Sequence, residues 1–138
     1  MKEIPLGSNK DNGGFIDSSN KFCGLYKVPW CASSQSLANF KGEVISPKIR
    51  SARAKDFATG KTHSLNDLIM GLYAPKYGDY RVKTRRGGNH VDVFIEWNDS
   101  TKSGFIIGGN VSDRVTIRKV TLQSMIADGT THITEVEY

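Results

Sequence analysis

Apolar and polar positions along the chain change period near its middle. In Cys31–Phe40, CASSQSLANF, the residues Ser33, Leu37 and Phe40 fall at i, i+4 and i+7, the spacing of one helical face. Pro29 cannot sit inside a helix, so this helix begins after it and places Cys31 at or near its N-terminus. Pro47 opens a second candidate helix, from Lys48 to about Phe57. Ser64 heads a third as N-cap, with Asp67 three residues later and Leu65, Leu68, Ile69 and Leu72 at apolar spacing. Beyond Pro75 the period drops to two. Tyr80, Val82 and Thr84 alternate with Arg81, Lys83 and Arg85, and Gly87-Gly88 ends the run. His90–Trp97 alternates again, with Val91, Val93, Ile95 and Trp97 as its apolar face. Gly104–Gly109, Val115–Val120 and His132–Tyr138 are three further strand candidates. Helices followed by an antiparallel sheet predict an α+β fold rather than a doubly wound one.

The hairpin around Asn98–Ser103 fixes a testable register. Centring its turn on Ser100 sets Trp97 against Ser103, Ile95 against Phe105 and Val93 against Ile107, so that the apolar residues of both strands share a face. The same register sets His90 opposite Asn110 on the other face. Directly opposed residues have Cβ atoms about 4.5–5.5 Å apart, close enough for an amide to orient an imidazole. By alternation Asp92 shares the face of His90, where it narrows the cleft or competes as the imidazole's partner.

Length adds that 138 residues suffice for one domain with its own core. Residues 1–22, rich in Gly, Asn, Ser and Lys, read as an N-terminal arm or ordered loop with one helical turn at most, and 23–138 as the domain proper. No apolar run reaches the roughly 18 residues of a membrane span, and no apolar h-region follows the first residues. The expectation is synthesis in the cytoplasm without a signal peptide and no membrane partner. Two cysteines are too few for a disulfide scaffold or a four-cysteine zinc site. Cys23 reads as reduced and structural, and His63 and His132 as surface or structural residues. With neither HExxH, CxxC nor an EF-hand loop in the chain, no metal or other cofactor is expected. Lys plus Arg exceed Asp plus Glu by 19 to 14, a net charge of +5 that suits an anionic partner. Arg81, Lys83, Arg85 and Arg86 are the densest basic stretch. Arg pairs carboxylates bidentately, and the absence of any nucleic-acid motif argues against DNA or RNA.

Cys31 carries the candidate chemistry. A helix N-terminus lowers a thiol's pKa through the dipole and unpaired N–H groups, and those N–H groups can also hold an oxyanion. Gly7-Ser8-Asn9 followed by GLYKVPWCA at 24–32 resembles the opening of CHAP/NlpC-type cell-wall hydrolases, papain-like cysteine peptidases and amidases. Gly78-Asp79, Asn89-His90-Val91 and Gly108-Gly109-Asn110 follow in that family's order, so the resemblance spans roughly 3–120. It implies a papain-like fold of N-terminal helices on a bent antiparallel sheet, with Cys31 as nucleophile, His90 as general base and Asn110 as the orienting residue. It also implies that Ser8 and Asn9 line the cleft; Asp92, from its shared face with His90, and Arg85, from the basic stretch, join them as candidate substrate-binding residues. Asn89 stands where the family usually has Gly, Asp92 where it has a small residue, and Gly108 where some members have Glu.

The expected function is therefore hydrolysis of a peptidoglycan amide bond by an endopeptidase or an N-acetylmuramoyl-L-alanine amidase. Such an enzyme would be phage-derived or otherwise delivered to the wall as a lysin, virion-associated hydrolase or effector, with virion or secretion-machine proteins as carriers. The alternative is an inactive structural or binding module of the same fold, such as a virion component. A basic nucleic-acid-binding protein is the third reading, supported by charge alone.

Overall fold

Asp11 and Asp17 build the first helix before any apolar pattern does. The Asp11 carboxylate accepts the N–H groups of Ile16 at 2.9 Å and Asp17 at 3.0 Å, and Asp17 accepts that of Gly13 at 2.6 Å. Two acids thus satisfy N-terminal donors and complement the helix dipole. The result is α1 (Phe15–Phe22), a full helix where the sequence suggested one turn at most. The structure, a computed structural model, describes residues 2–85, 88–111 and 113–137. Arg86 of the basic stretch, Gly87 of the glycine break and Tyr138 of the last predicted strand lie outside the described residues.

Helix α2 (Cys31–Lys41) follows Pro29 as expected. Its buried face carries Ala32, Ser33, Ser34 and Ser36, and every one of these hydroxyls has a partner. Ser33 donates to Asn20 of α1, Ser34 to the Cys31 carbonyl and Ser36 to the Ser51 carbonyl. Small, satisfied side chains let α2 lie close to its neighbours. Phe40, predicted to share the buried face, is 68% exposed and packs beside Phe22. The helix predicted over Lys48–Phe57 is absent apart from a 3₁₀ turn at Ala54–Phe57. Its backbone is committed elsewhere, because the Ser51 N–H and carbonyl both bond to Ser36.

Strands β1 (Thr62–Ser64), β2 (Tyr80–Arg85), β3 (Gly88–Asn98), β4 (Ser103–Val111), β5 (Arg114–Thr121) and β6 (Thr130–Thr134) form one antiparallel sheet in the order β1-β6-β2-β3-β4-β5. Helix α3 (Leu65–Ile69) begins at the predicted Ser64 cap, with a reciprocal Ser64–Asp67 box, but stops before Leu72. Helix α4 (Leu122–Ala127), capped in the same way by Thr121 and Ser124, was not anticipated. The α+β class is therefore as read, with four α-helices and six strands among the described residues. None of these helices is long and apolar enough to cross a membrane.

Both faces of the sheet are covered. Ala32, Ala54 and Phe57 pack with Tyr80, Val82 and Val91 on one side. Leu68 of α3 and Met125 of α4 pack with Phe94, Ile106, Val120 and Ile133 on the other. The predicted apolar face of the hairpin is thus not the more deeply buried one: Phe94 and Ile106 are covered, while Val93, Ile95 and Trp97 are only half-buried. A sheet buried on both sides shows weak alternation. The register is as expected at Val93–Ile107, but an irregularity between Phe94 and Glu96 sets Trp97 against Gly104 rather than Ser103, and Phe105 against Glu96 rather than Ile95. This bulge turns Trp97 onto the face of Phe94, where the two rings meet edge to face at 5.8 Å.

Candidate active site

Cys31 is the first residue of α2, preceded by the fully buried Trp30. The Trp30 indole N–H donates to Glu3 at 2.8 Å, and the other Glu3 oxygen accepts the Asn9 N–H. Glu3 itself is 1% exposed. The N-terminal arm therefore fastens the start of the helix that bears Cys31. On the sheet side, a β-carbon at Gly109 would stand 2.5 Å from Ser34 Oγ and 2.8 Å from the Trp30 ring. Glycine at that position lets the start of α2 rest directly on β4.

His90 on β3 is hydrogen-bonded to Cys31, whose sulfur also receives the Val91 N–H. Burial pushes the thiol up, but the bond and charge of His90, with the Val91 N–H and Arg85 charge, outweigh it and leave the thiol below its ordinary value. Burial pushes the imidazole down, and Asp92 and Cys31 together outweigh that, so His90 lies above its ordinary value. Opposite shifts of this kind favour a thiolate–imidazolium pair.

Asp92 stands behind the imidazole. Its Oδ2 lies 3.2 Å from His90 Nε2, near enough for strong attraction although bent away from an ideal N–H···O line. On the other side of the ring, Arg85 Nη1 is 3.4 Å from Nδ1. A guanidinium can only donate, so whenever His90 is neutral this contact favours the tautomer with the proton on Nε2, facing Asp92, and in the imidazolium it is a contact between like charges. Asp92 is fully buried and takes two bonds from Arg81, at 2.9 and 2.7 Å, with Arg118 Nη2 at 3.4 Å. Burial raises its pKa, but His90 and Arg81 bring the net value below the ordinary carboxylate range. Arg81 in turn reaches Asp128 at 2.5 Å.

Asn110 lines a cavity of about 160 Å³ with Lys83, Arg85, His90, Val111 and Arg118. Among the described residues no hydrogen bond joins it to His90. Strand β4 departs from its regular pairing between Gly108 and Val111, and Asn110 takes a left-handed conformation at φ 57°. The ladder that would set Asn110 opposite His90 is not continued that far. Gly108 instead abuts Asp92, and a β-carbon there would come within 2.7 Å of Asp92 Cβ. Ser8 and Asn9 occupy a turn tied to Pro5 and Glu3 and do not line this cavity. The structure thus brings together Cys31, His90, Asp92 and Arg85, with Asn110 at the rim, and leaves Ser8 and Asn9 to one side.

Sequence reasoning gave Arg118 and Glu3 no role in the site, and gave Arg81 only a place in the basic stretch that suits an anionic partner. Arg81 was within reach, because pairing Tyr80–Arg85 against the next strand sets Arg81 opposite Asp92, as observed. Glu3 carried no local signal. His63, read as surface or structural, bonds Glu135 at 2.7 Å and stacks on Tyr73. Both cysteines are free, and Cys23 is half-buried with its pKa raised, burial being the main cause. Among the described residues no group of three or more His, Cys, Asp or Glu is placed to hold a metal. No family model, characterised protein or solved structure matches the chain.

Proposed function

We propose that the protein is a papain-like cysteine hydrolase of the CHAP/NlpC type that cleaves an amide bond of peptidoglycan. The observation that carries the reading is a thiol at the start of a helix, hydrogen-bonded to an imidazole that is backed by a buried carboxylate. The choice of peptidoglycan rests on the motif series from Gly7-Ser8-Asn9 to Asn110, and delivery from a phage or a secretion machine rests on the same resemblance.

The Cys31 thiolate attacks the amide carbonyl, forming a C–S bond, and the carbonyl π pair moves onto oxygen. The Cys31 backbone N–H, at a helix start with unpaired donors, helps hold that oxyanion. Imidazolium His90 passes its Nδ1 proton to the leaving nitrogen as the C–N bond breaks. Neutral His90 then takes a proton from water, the hydroxide attacks the thioester, and the thiolate leaves. Asp92 stays ionised throughout, because Arg81 holds it, and stabilises each imidazolium. In this scheme Asp92 fills the orienting role expected of Asn110, and Asn110 is left to contact substrate.

One observation favours the rival reading of an inactive wall-binding or virion module: Cys31 is only 4% exposed and His90 1%. Digestion of purified peptidoglycan by the wild type and by Cys31→Ala, with fragments read by mass spectrometry under reducing conditions, decides between them. Fragments from the wild type alone establish the nucleophile, and their masses name the bond. Intact wall from both proteins across several wall chemotypes favours the module.

A further inference from the structure

The buried guanidinium of Arg81 serves two carboxylates. It gives Nε and Nη2 to Asp92 and turns Nη1 the other way, to Asp128 Oδ2 at 2.5 Å. Burial pulls its pKa down, but Asp92 and then Asp128 outweigh that. Asp128 is the C-cap residue of α4, where a carboxylate faces the negative end of the helix dipole. Helix stability therefore gives no reason for an acid there. Its side chain is nevertheless fixed. Oδ1 accepts the Thr130 N–H at 3.1 Å and the Thr130 hydroxyl at 2.7 Å, which leaves Oδ2 for Arg81, with Lys83 Nζ at 3.8 Å.

The charge balance around the imidazole turns on this residue. Once His90 is protonated, Asp92 Oδ2 faces three cationic groups: Arg81 at 2.7 Å, His90 Nε2 at 3.2 Å and Arg118 at 3.4 Å. Arg85 approaches the other ring nitrogen at 3.4 Å, and Cys31 shares a hydrogen bond with the ring. Asp92 and Arg81 taken alone cancel, and leave little net charge to support an imidazolium. With Asp128 added, the three groups together carry one negative charge, which the imidazolium neutralises. Such matching counts for more in a dry interior than at a surface. Burial, followed by repulsion from Arg81, lowers the Lys83 pKa, as expected where negative charge is short. The Nη1 bond also fixes the guanidinium from behind, so that Asp92 meets it in one bidentate arrangement with Oδ2 towards the ring.

We propose that Asp128 is a positioning residue of the reaction: as counter-ion to Arg81, it leaves the charge of Asp92 free to hold and orient the His90 imidazolium beside Cys31. Asp128 touches neither His90 nor Cys31 and acts through Arg81 and Asp92. Its part in turnover rests on the hydrolase reading, whereas its hold on His90 is measurable without substrate.

NMR titration of the His90 ring in Cys31→Ala, with and without Asp128→Asn, reads that hold directly. Asp128→Asn is expected to lower the His90 pKa by about 0.5–1 unit, below the roughly 1–3 units of a directly paired charge because Arg81 stands between. Asp128→Glu keeps the charge and is expected to recover most of the shift. Thr130→Val removes a bond to Asp128 but no charge, so it should lower the urea midpoint and leave the His90 pKa in place. Asp128→Ser, which keeps an oxygen for the Thr130 N–H, repeats the titration if the amide unfolds the chain. With Cys31 present, Asp128→Asn should move the alkaline limb of kcat/KM on peptidoglycan to lower pH by the same amount. A lowered His90 pKa in a protein that cuts no wall keeps the hold on His90 and removes the hydrolase. An unchanged His90 pKa in Asp128→Asn, or an equal drop in Thr130→Val, overturns the positioning role and leaves the hydrolase reading standing.

Discussion

A carboxylate held in a dry interior by two guanidinium bonds changes charge only with difficulty, and Asp92 is such a group. Its fixed charge keeps His90 above the ordinary imidazole value, and His90 in turn helps keep Cys31 below the ordinary thiol value. If the active form is the thiolate–imidazolium pair, kcat/KM rises as pH climbs through the lowered thiol pKa. It falls as pH climbs through the raised imidazole pKa. Asp92→Asn removes support for the imidazolium, so the alkaline limb should move to lower pH. The thiol loses part of its positive neighbour, so the acid limb should move to higher pH. The bell narrows from both sides, and its maximum should fall roughly 10²- to 10⁴-fold, as when the orienting acid of a triad is neutralised. Asn110→Ala should lower kcat by less than about 10-fold and leave both limbs in place, an interfacial rim contact being worth little beside the imidazole's partner. A pH–rate profile of the three proteins distinguishes these outcomes, and limbs that stay put in Asp92→Asn would remove Asp92 from its orienting role. The parity that places Asp92 beside His90 was legible in the sequence. Its grip by Arg81 needed one more step, pairing Tyr80–Arg85 with the next strand, which neither strand shows when read alone.

Glycine governs how closely elements approach. Gly104 and Gly109 lie in β4, and at both the obstacle to a side chain is a neighbouring atom. At Gly104 a β-carbon would lie 2.0 Å from the Glu96 carbonyl oxygen, on the bulged stretch of β3. At Gly109 it would meet Ser34 of α2 and Trp30 of its cap. Gly109→Ala is expected to lower stability by about 1–3 kcal/mol in urea titration, the usual cost of overpacking. It should also reduce kcat, because it lifts Cys31 from His90. Gly104→Ala, which collides with backbone that no rotamer change can relieve, should cost at least as much while leaving the Cys31–His90 contact in place. Equal kcat for Gly109→Ala and wild type would show that α2 tolerates displacement. These glycines were read from the sequence as strand and motif positions. Their packing role was hidden because it belongs to pairs of elements. The same holds for α1, whose Asp11–Asp17 reciprocity is a capping signal with little apolar periodicity behind it.

At the scale of the molecule, the site is assembled from segments far apart in sequence. β3 brings His90 and Asp92, β2 brings Arg81, α2 brings Cys31, and the N-terminal arm brings Glu3. The family resemblance put Ser8 and Asn9 of this arm at the cleft, whereas the residue that ties the arm to the site, Glu3, carried no signal. In the fold it is pinned at Lys2, which bridges to Arg114, and at Glu3, whose N–H donates to the Asp113 carbonyl at 2.9 Å. The Glu3 carboxylate then satisfies the buried Trp30 indole and the Asn9 N–H together. Glu3→Ala strands a buried indole donor, which costs about 1–3 kcal/mol. Glu3→Gln keeps one acceptor oxygen and should cost less. Both should lower the urea midpoint, and the alanine variant should also lower kcat at temperatures where it remains fully folded, because Trp30 is the residue on which α2 starts. Reactivity towards a small alkylating reagent gives a second reading, since a displaced Cys31 loses the His90 contact that lowers its pKa. Glu3→Ala should therefore shift the alkylation profile of Cys31 to higher pH. A lowered urea midpoint with kcat and the alkylation profile unchanged would assign the arm to stability alone. A shift in all three would make residues 2–9 part of the catalytic apparatus.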